Sequence, residues 1–190
     1  MSWYRIVNKA DRAEIWIYEA IGEDFWSAGG MTAKKFHEEL AAIKARQIDL
    51  HINSPGGSVF DGVAIYNMLK QHGATITAYI DGLAASIASV IALAGDRVVM
   101  AANALFMIHN PSGLVMGSAA DMRKMADVLD KIRSTMSGVY AGKSGKAEDE
   151  IIAMLDAETW MTAAEALDAG FVDDIADEMD LAACAKFIPV

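Results

Sequence analysis

The sequence predicts an α/β domain with a largely parallel sheet, and three observations carry that expectation. Segments of period-two hydrophobicity alternate with helical segments through most of the chain. A length of 190 residues suits one domain, and no repeat, low-complexity tract or Pro/Ser-rich linker divides it. Apolar residues make up 54% of the chain against 22% charged, enough to fill a core and too many for a disordered polypeptide.

Each element has its own signal. Residues 13–21 (AEIWIYEAI) alternate through Ile15 and Ile17 as a strand does. A helix follows with Thr32 as N-cap, Met31 and Phe36 as a hydrophobic staple, and Phe36, Leu40 and Ile43 on one face. In 48–52, Ile48, Leu50 and Ile52 alternate with polar neighbours and run into the turn SPGG at 54–57. Ser58 and Asp61 form a capping-box pair that opens a helix to about Gln71. A third strand at 75–80 is expected to end at Asp81 and Gly82, and a helix of small residues at 84–94 to close on Gly95 as its C′ residue. Short strands follow at 97–100 and 105–108, the second leading into His109, Asn110 and Pro111.

Ser118 and Asp121 then cap a helix to Gly142 whose apolar positions, Met122, Met125, Leu129, Ile132, Met136 and Val139, make a narrow seam of heptad type. At 1.5 Å per residue it is roughly 36 Å long, as long as the domain is wide, so it is expected to project. A last helix opens at Thr162 with Glu165 completing a capping box, and stops at Gly170 before Phe171, Val172 and an acidic end.

Composition excludes several functions. With 16 Lys and Arg against 26 Asp and Glu, the chain carries −10, which repels polyphosphate; no basic stripe offsets it, so no nucleic-acid partner is expected. The most apolar run, 83–95, falls short of the ~20 residues that a membrane span needs. The charged start MSWYRIVNKADR lacks the apolar core of a secretory signal, so a cytoplasmic location is expected. The single cysteine, Cys184, lies in an Ala-rich tail and reads as a packing residue. No histidine pair has a metal-ligand spacing, so neither metal nor cofactor is expected. Twelve methionines and the apolar surplus leave a choice between core and subunit contacts.

Four groups could carry chemistry. The turn at 53–58 removes two side chains, at Gly56 and Gly57, just before a helix N-terminus, so its amides could hold an oxyanion or merely turn the chain. Ser86 sits where a strand becomes a helix, beside the N–H of Ile87, and is a nucleophile, an N-cap or a packing residue; Ser89, one turn on, looks like packing. His109 ends an apolar strand and is a general base or a satisfied structural histidine. His37, His51 and His72 read as solvated. Asp156 and Glu158 precede the Thr162 cap and could orient His109 or simply be solvated charge. Together these supply nucleophile, base, acid and oxyanion donors, the set that acyl transfer needs.

Four motifs in order, INSPGG at 52–57, GLAAS at 82–86, MIHNP at 107–111 and WMTAAEALDAGFV at 160–172, resemble the Clp protease proteolytic subunit family of serine peptidases. The resemblance covers roughly 13–175 and implies Ser86 as nucleophile, His109 as base, and the Gly57 and Ile87 amides as oxyanion hole. Glu158 falls where the family has aspartate, so it ranks first as the acid and Asp156 second. Gly56, and Ser112, Gly113 and Leu114 within an extended strand at 111–117, would lie along the substrate. The implied fold is the repeated β-β-α superhelix shared with crotonases, one domain over 1–190 with a projecting handle at about 111–145 that joins subunits into a homo-oligomeric ring. The phrases FWSAGGMTAKK at 25–35, SVFDG at 58–62 and DAETWM at 156–161 resemble the phage and prophage head-maturation branch. That branch implies a capsid, scaffold or portal precursor as polypeptide substrate, in the host cytoplasm or procapsid, with capsid proteins as candidate partners, while the family as a whole implies an ATPase unfoldase as a candidate partner. The alternatives are a crotonase-like acyl-CoA hydratase or isomerase, a catalytically idle ring, and a Ser/Lys peptidase using Lys143 or Lys146.

Overall fold

The computed structural model describes residues 4–9, 11–22 and 33–177. The expected cap at Thr32, the staple residue Met31, most of the 25–35 phrase and Cys184 lie outside the described residues. The elements are β1 (Tyr4–Asn8), β2 (Arg12–Ile17), α1 (Ala33–Ala41), β3 (Gln47–Ser54), α2 (Val59–Gln71), β4 (Thr75–Ala85), α3 (Ile87–Ala92), β5 (Arg97–Ala101), β6 (Leu105–Ile108), α4 (Ala119–Ser144), α5 (Glu148–Asp156), β7 (Thr159–Thr162), α6 (Ala163–Asp168) and β8 (Asp174–Ala176).

The strands form one sheet in the order β1-β2-β3-β4-β5-β8, with β6 pairing β4 and β7 pairing β6. Pairings through β2, β3, β4, β5 and β8 are parallel, as are β4 and β6, whereas β1–β2 and β6–β7 are antiparallel. Alternation sorts the faces. Ile15, Ile17, Ile48, Leu50, Ile52, Ile76, Ala78, Ile80, Val98 and Met100 are buried in the core that α1, α2 and α3 cover. Burial of that many aliphatic side chains, at about 25 cal/mol per Å², is the main term holding the layers together.

On the other face the register sets Arg5, Trp16, His51 and Tyr79 side by side. The Arg5 guanidinium lies over the Trp16 ring, and His51 stacks between Trp16 and Tyr79. Buried Asp81 accepts the Tyr18 O–H at 2.6 Å and faces His51 Nδ1 at 2.9 Å. His51 is therefore a held residue and not the solvated one that the sequence suggested. Its alternating position marked the correct face but not the aromatic row that covers it.

Several boundaries shift from expectation: the first expected strand, 13–21, stops at Ile17, and the long helix runs to Ser144 rather than Gly142. β4 does not end at Asp81 and Gly82; it continues to Ala85 because β6 pairs with Leu83, Ala84 and Ala85. The helix expected at 84–94 shortens to α3, since Ala84 and Ala85 belong to that strand. Gly95 is not a left-handed C′ residue: the C-cap is Leu93, and Gly95 is needed because a Cβ there would meet the Ala78 Cβ at 2.9 Å. β1, α5, β7 and β8 had no expected counterpart. Ser118 with Asp121 and Thr162 with Glu165 form full capping boxes as read, whereas at Ser58 only half of the expected box forms: Ser58 Oγ accepts the Asp61 N–H.

The α4 seam divides in two. Met136 is buried and Ile132 and Val139 pack on the core, whereas Met122 is 52% exposed and Leu114 and Met116, just before the helix, are about nine-tenths exposed. The surplus apolar surface thus belongs partly to the core and partly to a face with no cover among the described residues. The expected strand at 111–117 has no strand partner among the described residues, and Gly113 lies against Met125 and Leu129 of α4.

Candidate active site

Ser86 stands between β4 and α3 at φ 55°, ψ −130°, in the left-handed half of backbone space where L residues are strained. The strain has a local cause. β4 must stay paired with β6 through Ala85, and the Ser86 N–H donates to Met107 O at 3.0 Å, yet α3 begins at the next residue. A sharp reversal at one residue meets both demands and lifts the side chain out of the sheet.

The reversal is braced from behind. The Ser86 carbonyl accepts the Ser89 N–H at 3.0 Å and the Ser89 hydroxyl at 2.6 Å. Ser89 Oγ also lies 2.7 Å from the Tyr140 hydroxyl on α4. The Ser89 proton is committed to the carbonyl, so Tyr140 donates to Ser89; burial raises the Tyr140 pKa and keeps that proton in place. Ser89 was read as a packing residue and Tyr140 was missed. A phenol inside an apolar helical face was the signal, because a buried hydroxyl needs a partner.

The glycine turn is built against this reversal. A Cβ on Gly56 would meet the Ser86 Cβ at 2.7 Å and the Ala85 carbonyl at 2.9 Å, and Gly56 sits at φ +98°. Around Gly57, the Ile21 N–H donates to Gly56 O at 2.7 Å and the Ser58 N–H to Ile21 O at 2.8 Å, which leaves the Gly57 N–H without a partner among the described residues. On α2, a Cβ at Gly62 would overlap Ile87, so α2 is pressed onto the start of α3.

β6 delivers His109. It pairs Ala85 with Met107 and ends at Ile108, which places His109 beside the reversal with Nε2 2.8 Å from Ser86 Oγ. Of the four groups read from the sequence, the structure brings the turn, Ser86 and His109 together. It does not join either acid to the imidazole. Glu158 is exposed and accepts the Trp160 indole N–H at 3.2 Å, while Asp156 accepts the Asn110 amide at 2.7 Å and faces Arg133 at 3.4 Å. Glu158 nevertheless stands at φ 48°, and Ile108 pairs with Thr159, so the next facing positions on that antiparallel ladder are 109 and 158.

Lys143 pairs with Asp173 at 2.6 Å and Lys146 with Glu150, so both lysines of the Ser/Lys alternative are engaged elsewhere. Among the described residues there is no cluster that could hold a metal ion, and no helix is long and apolar enough to cross a membrane. Leu114 is exposed, and Ser112 and Gly113 sit on a stretch of backbone with no ladder partner among the described residues.

A family model described as Clp protease matches residues 2–179. The chain belongs to the Clp protease family. It is 35% identical over 132 residues to the ATP-dependent Clp protease proteolytic subunit of Bacteroides fragilis, a match covering 68% of this chain and 64% of that protein, just under two thirds of its length. It is 33% identical over 174 residues to ATP-dependent Clp protease proteolytic subunit 1 of Protochlamydia amoebophila, covering 90% of this chain and 83% of that one. Among solved structures, a point mutant of ClpP1 from Listeria monocytogenes superposes with a TM-score of 0.75 at 25% identity, over 88% of this chain and 92% of the other. The mixed α/β fold is thus that of the Clp protease family, as the four motifs implied.

Proposed function

We propose that this Clp protease family member is a serine endopeptidase using Ser86, His109 and Glu158, with Asp156 as the second-ranked acid. The observation that carries the reading is the 2.8 Å contact between His109 Nε2 and Ser86 Oγ at a strained reversal faced by Gly56. His109 accepts the Ser86 proton as Oγ attacks a peptide carbonyl, and the Gly57 and Ile87 amides receive the developing oxyanion. His109 then protonates the leaving amine, the C–N bond breaks, and water repeats the sequence on the acyl-enzyme. Glu158 would steady the imidazolium once its side chain turns from Trp160 toward Nδ1. Gly56, Ser112, Gly113 and Leu114 would line the bound polypeptide.

The unit is one peptidase domain over 1–190 with a handle at about 111–145. The exposed Leu114, Met116 and Met122 support burial of that handle in a homo-oligomeric ring. The finer reading is a phage or prophage head-maturation peptidase acting on capsid, scaffold or portal precursors, supported by the SVFDG and DAETWM phrases. An ATPase partner is suggested only by the names of the relatives. A crotonase-like reaction would have no use for the Ser86–His109 contact. A catalytically idle ring is the second reading, favoured by the engagement of both carboxylates away from the imidazole.

A fluorophosphonate should label Ser86, and His109→Ala should abolish the labelling; peptide hydrolysis and native mass would follow. An unlabelled wild-type protein, with no peptide turnover, would overturn the peptidase reading in favour of the idle ring.

A further inference from the structure

Next to the base stands a polar group that the proposed reaction does not use. Asn110 Nδ2 donates to Asp156 Oδ1 at 2.7 Å, and Arg133 Nη1 on α4 lies 3.4 Å from the same oxygen, with Arg133 Nη2 3.5 Å from Asp130. The carboxylate accepts only, so the Asn110 amide must turn its N–H₂ toward it, and its orientation is set. The other end of that amide, Oδ1, is buried without a hydrogen-bond partner among the described residues. A buried acceptor left unpaired costs free energy and is retained where the placement of its group matters.

Topology shows what the placement holds. Asn110 follows His109 at the end of β6, Asp156 ends α5 two residues before Glu158, and Arg133 lies midway along α4. Three separate elements therefore meet at one carboxylate. The β6–β7 ladder stops at Ile108 and Thr159, so His109 and Glu158 lie just beyond the last paired residues, where no ladder hydrogen bond fixes their spacing.

We propose that Asn110, Asp156 and Arg133 form a positioning tie. Asp156 does not act on the imidazole; through Asn110 it joins the His109 loop, the turn at 156–158 and α4 into one unit, and keeps Glu158 opposite His109. The inference rests on the peptidase reading for its catalytic consequence and assigns Asp156 a role other than triad acid. An exposed ion pair alone would count for little, so the Asn110 amide is the principal link and Arg133 the weaker one.

The test compares Asn110→Ala, Asp156→Ala, their double variant and Asp156→Asn, whose side-chain oxygen still accepts from Asn110. Amide hydrogen exchange by mass spectrometry, on peptides covering 107–113 and 155–160, needs no activity. Exchange should quicken in both peptides in each alanine variant and stay near wild type in Asp156→Asn. Peptide hydrolysis should fall about tenfold in kcat at unchanged KM in each alanine variant, with the double no worse than either single, and Asp156→Asn should restore most of it. Unchanged exchange, losses that multiply in the double variant, or Asp156→Asn as impaired as Asp156→Ala would each overturn the tie. A wild-type protein that fluorophosphonate does not label, yet shows the exchange pattern, would overturn the peptidase reading and leave the tie standing.

Discussion

The two sides of the candidate site are built differently. Ser86 sits between Ala85 and Ile87, both buried, with Gly56 in front and the Ser89–Tyr140 pair behind. The acid turn at 156–158 is exposed, and its carboxylates find partners on Trp160, Asn110 and Arg133. Ser86 and His109 are placed by sheet register and core packing, which allow one arrangement. The Asp156 and Glu158 carboxylates are placed by exposed side-chain contacts of low individual strength, which allow several arrangements.

The sharpest way to break this comparison is at the nucleophile. Ser86→Ala should lower peptide turnover by at least about 10⁴-fold with no change in thermal unfolding, leaving only what the oxyanion donors supply. A variant that kept half its activity would remove Ser86 from the chemistry. On the other side, Glu158→Ala should lower kcat about a hundredfold or more if the side chain serves as triad acid, whereas a loss under threefold would leave a Ser–His dyad.

Smaller effects test the bracing. Gly56→Ala forces a Cβ to 2.7 Å from that of Ser86 at a φ of +98°, so it should destabilise by roughly 1–3 kcal/mol and slow fluorophosphonate labelling. Tyr140→Phe removes the donor to Ser89 while leaving the ring in place, at a cost of about 1 kcal/mol that a denaturant midpoint would register. The smallest effect belongs to the exposed caps. Hydrogen bonds from the Thr162 N–H and hydroxyl hold Glu165 below the usual carboxylate range. Its contribution is therefore present above the unfolded-state value and lost as pH falls through the lower folded value. Glu165→Gln should flatten that acid limb of an unfolding-versus-pH curve, and an unchanged limb would deny the cap its charge dependence.

Legibility followed the same divide. Ile48, Leu50 and Ile52, the SPGG turn and the three Ser or Thr caps were readable because each depends on near neighbours in the chain. β7 and β8 were not, since TWMT and DIA have no strong period of their own and become strands only where β6 and β5 offer an edge. The α4 seam shows the limit well. One apolar period runs from Met122 to Val139, yet only its second half meets the core, because periodicity names a face and says nothing of what lies against it.

By itself the sequence determined the α/β class, the glycine turn and the family to which these motifs belong, and it named Ser86 and His109 as candidates. Tertiary structure alone decided that β4 continues through Ala85, that Ser86 takes a left-handed conformation braced by Tyr140, and that Asp156 turns to Asn110 and Arg133. The physical reason is range. Caps, turns and periodicity act over a few residues, whereas strand pairing and the partners of a polar side chain are settled by groups tens of residues away that only folding brings together.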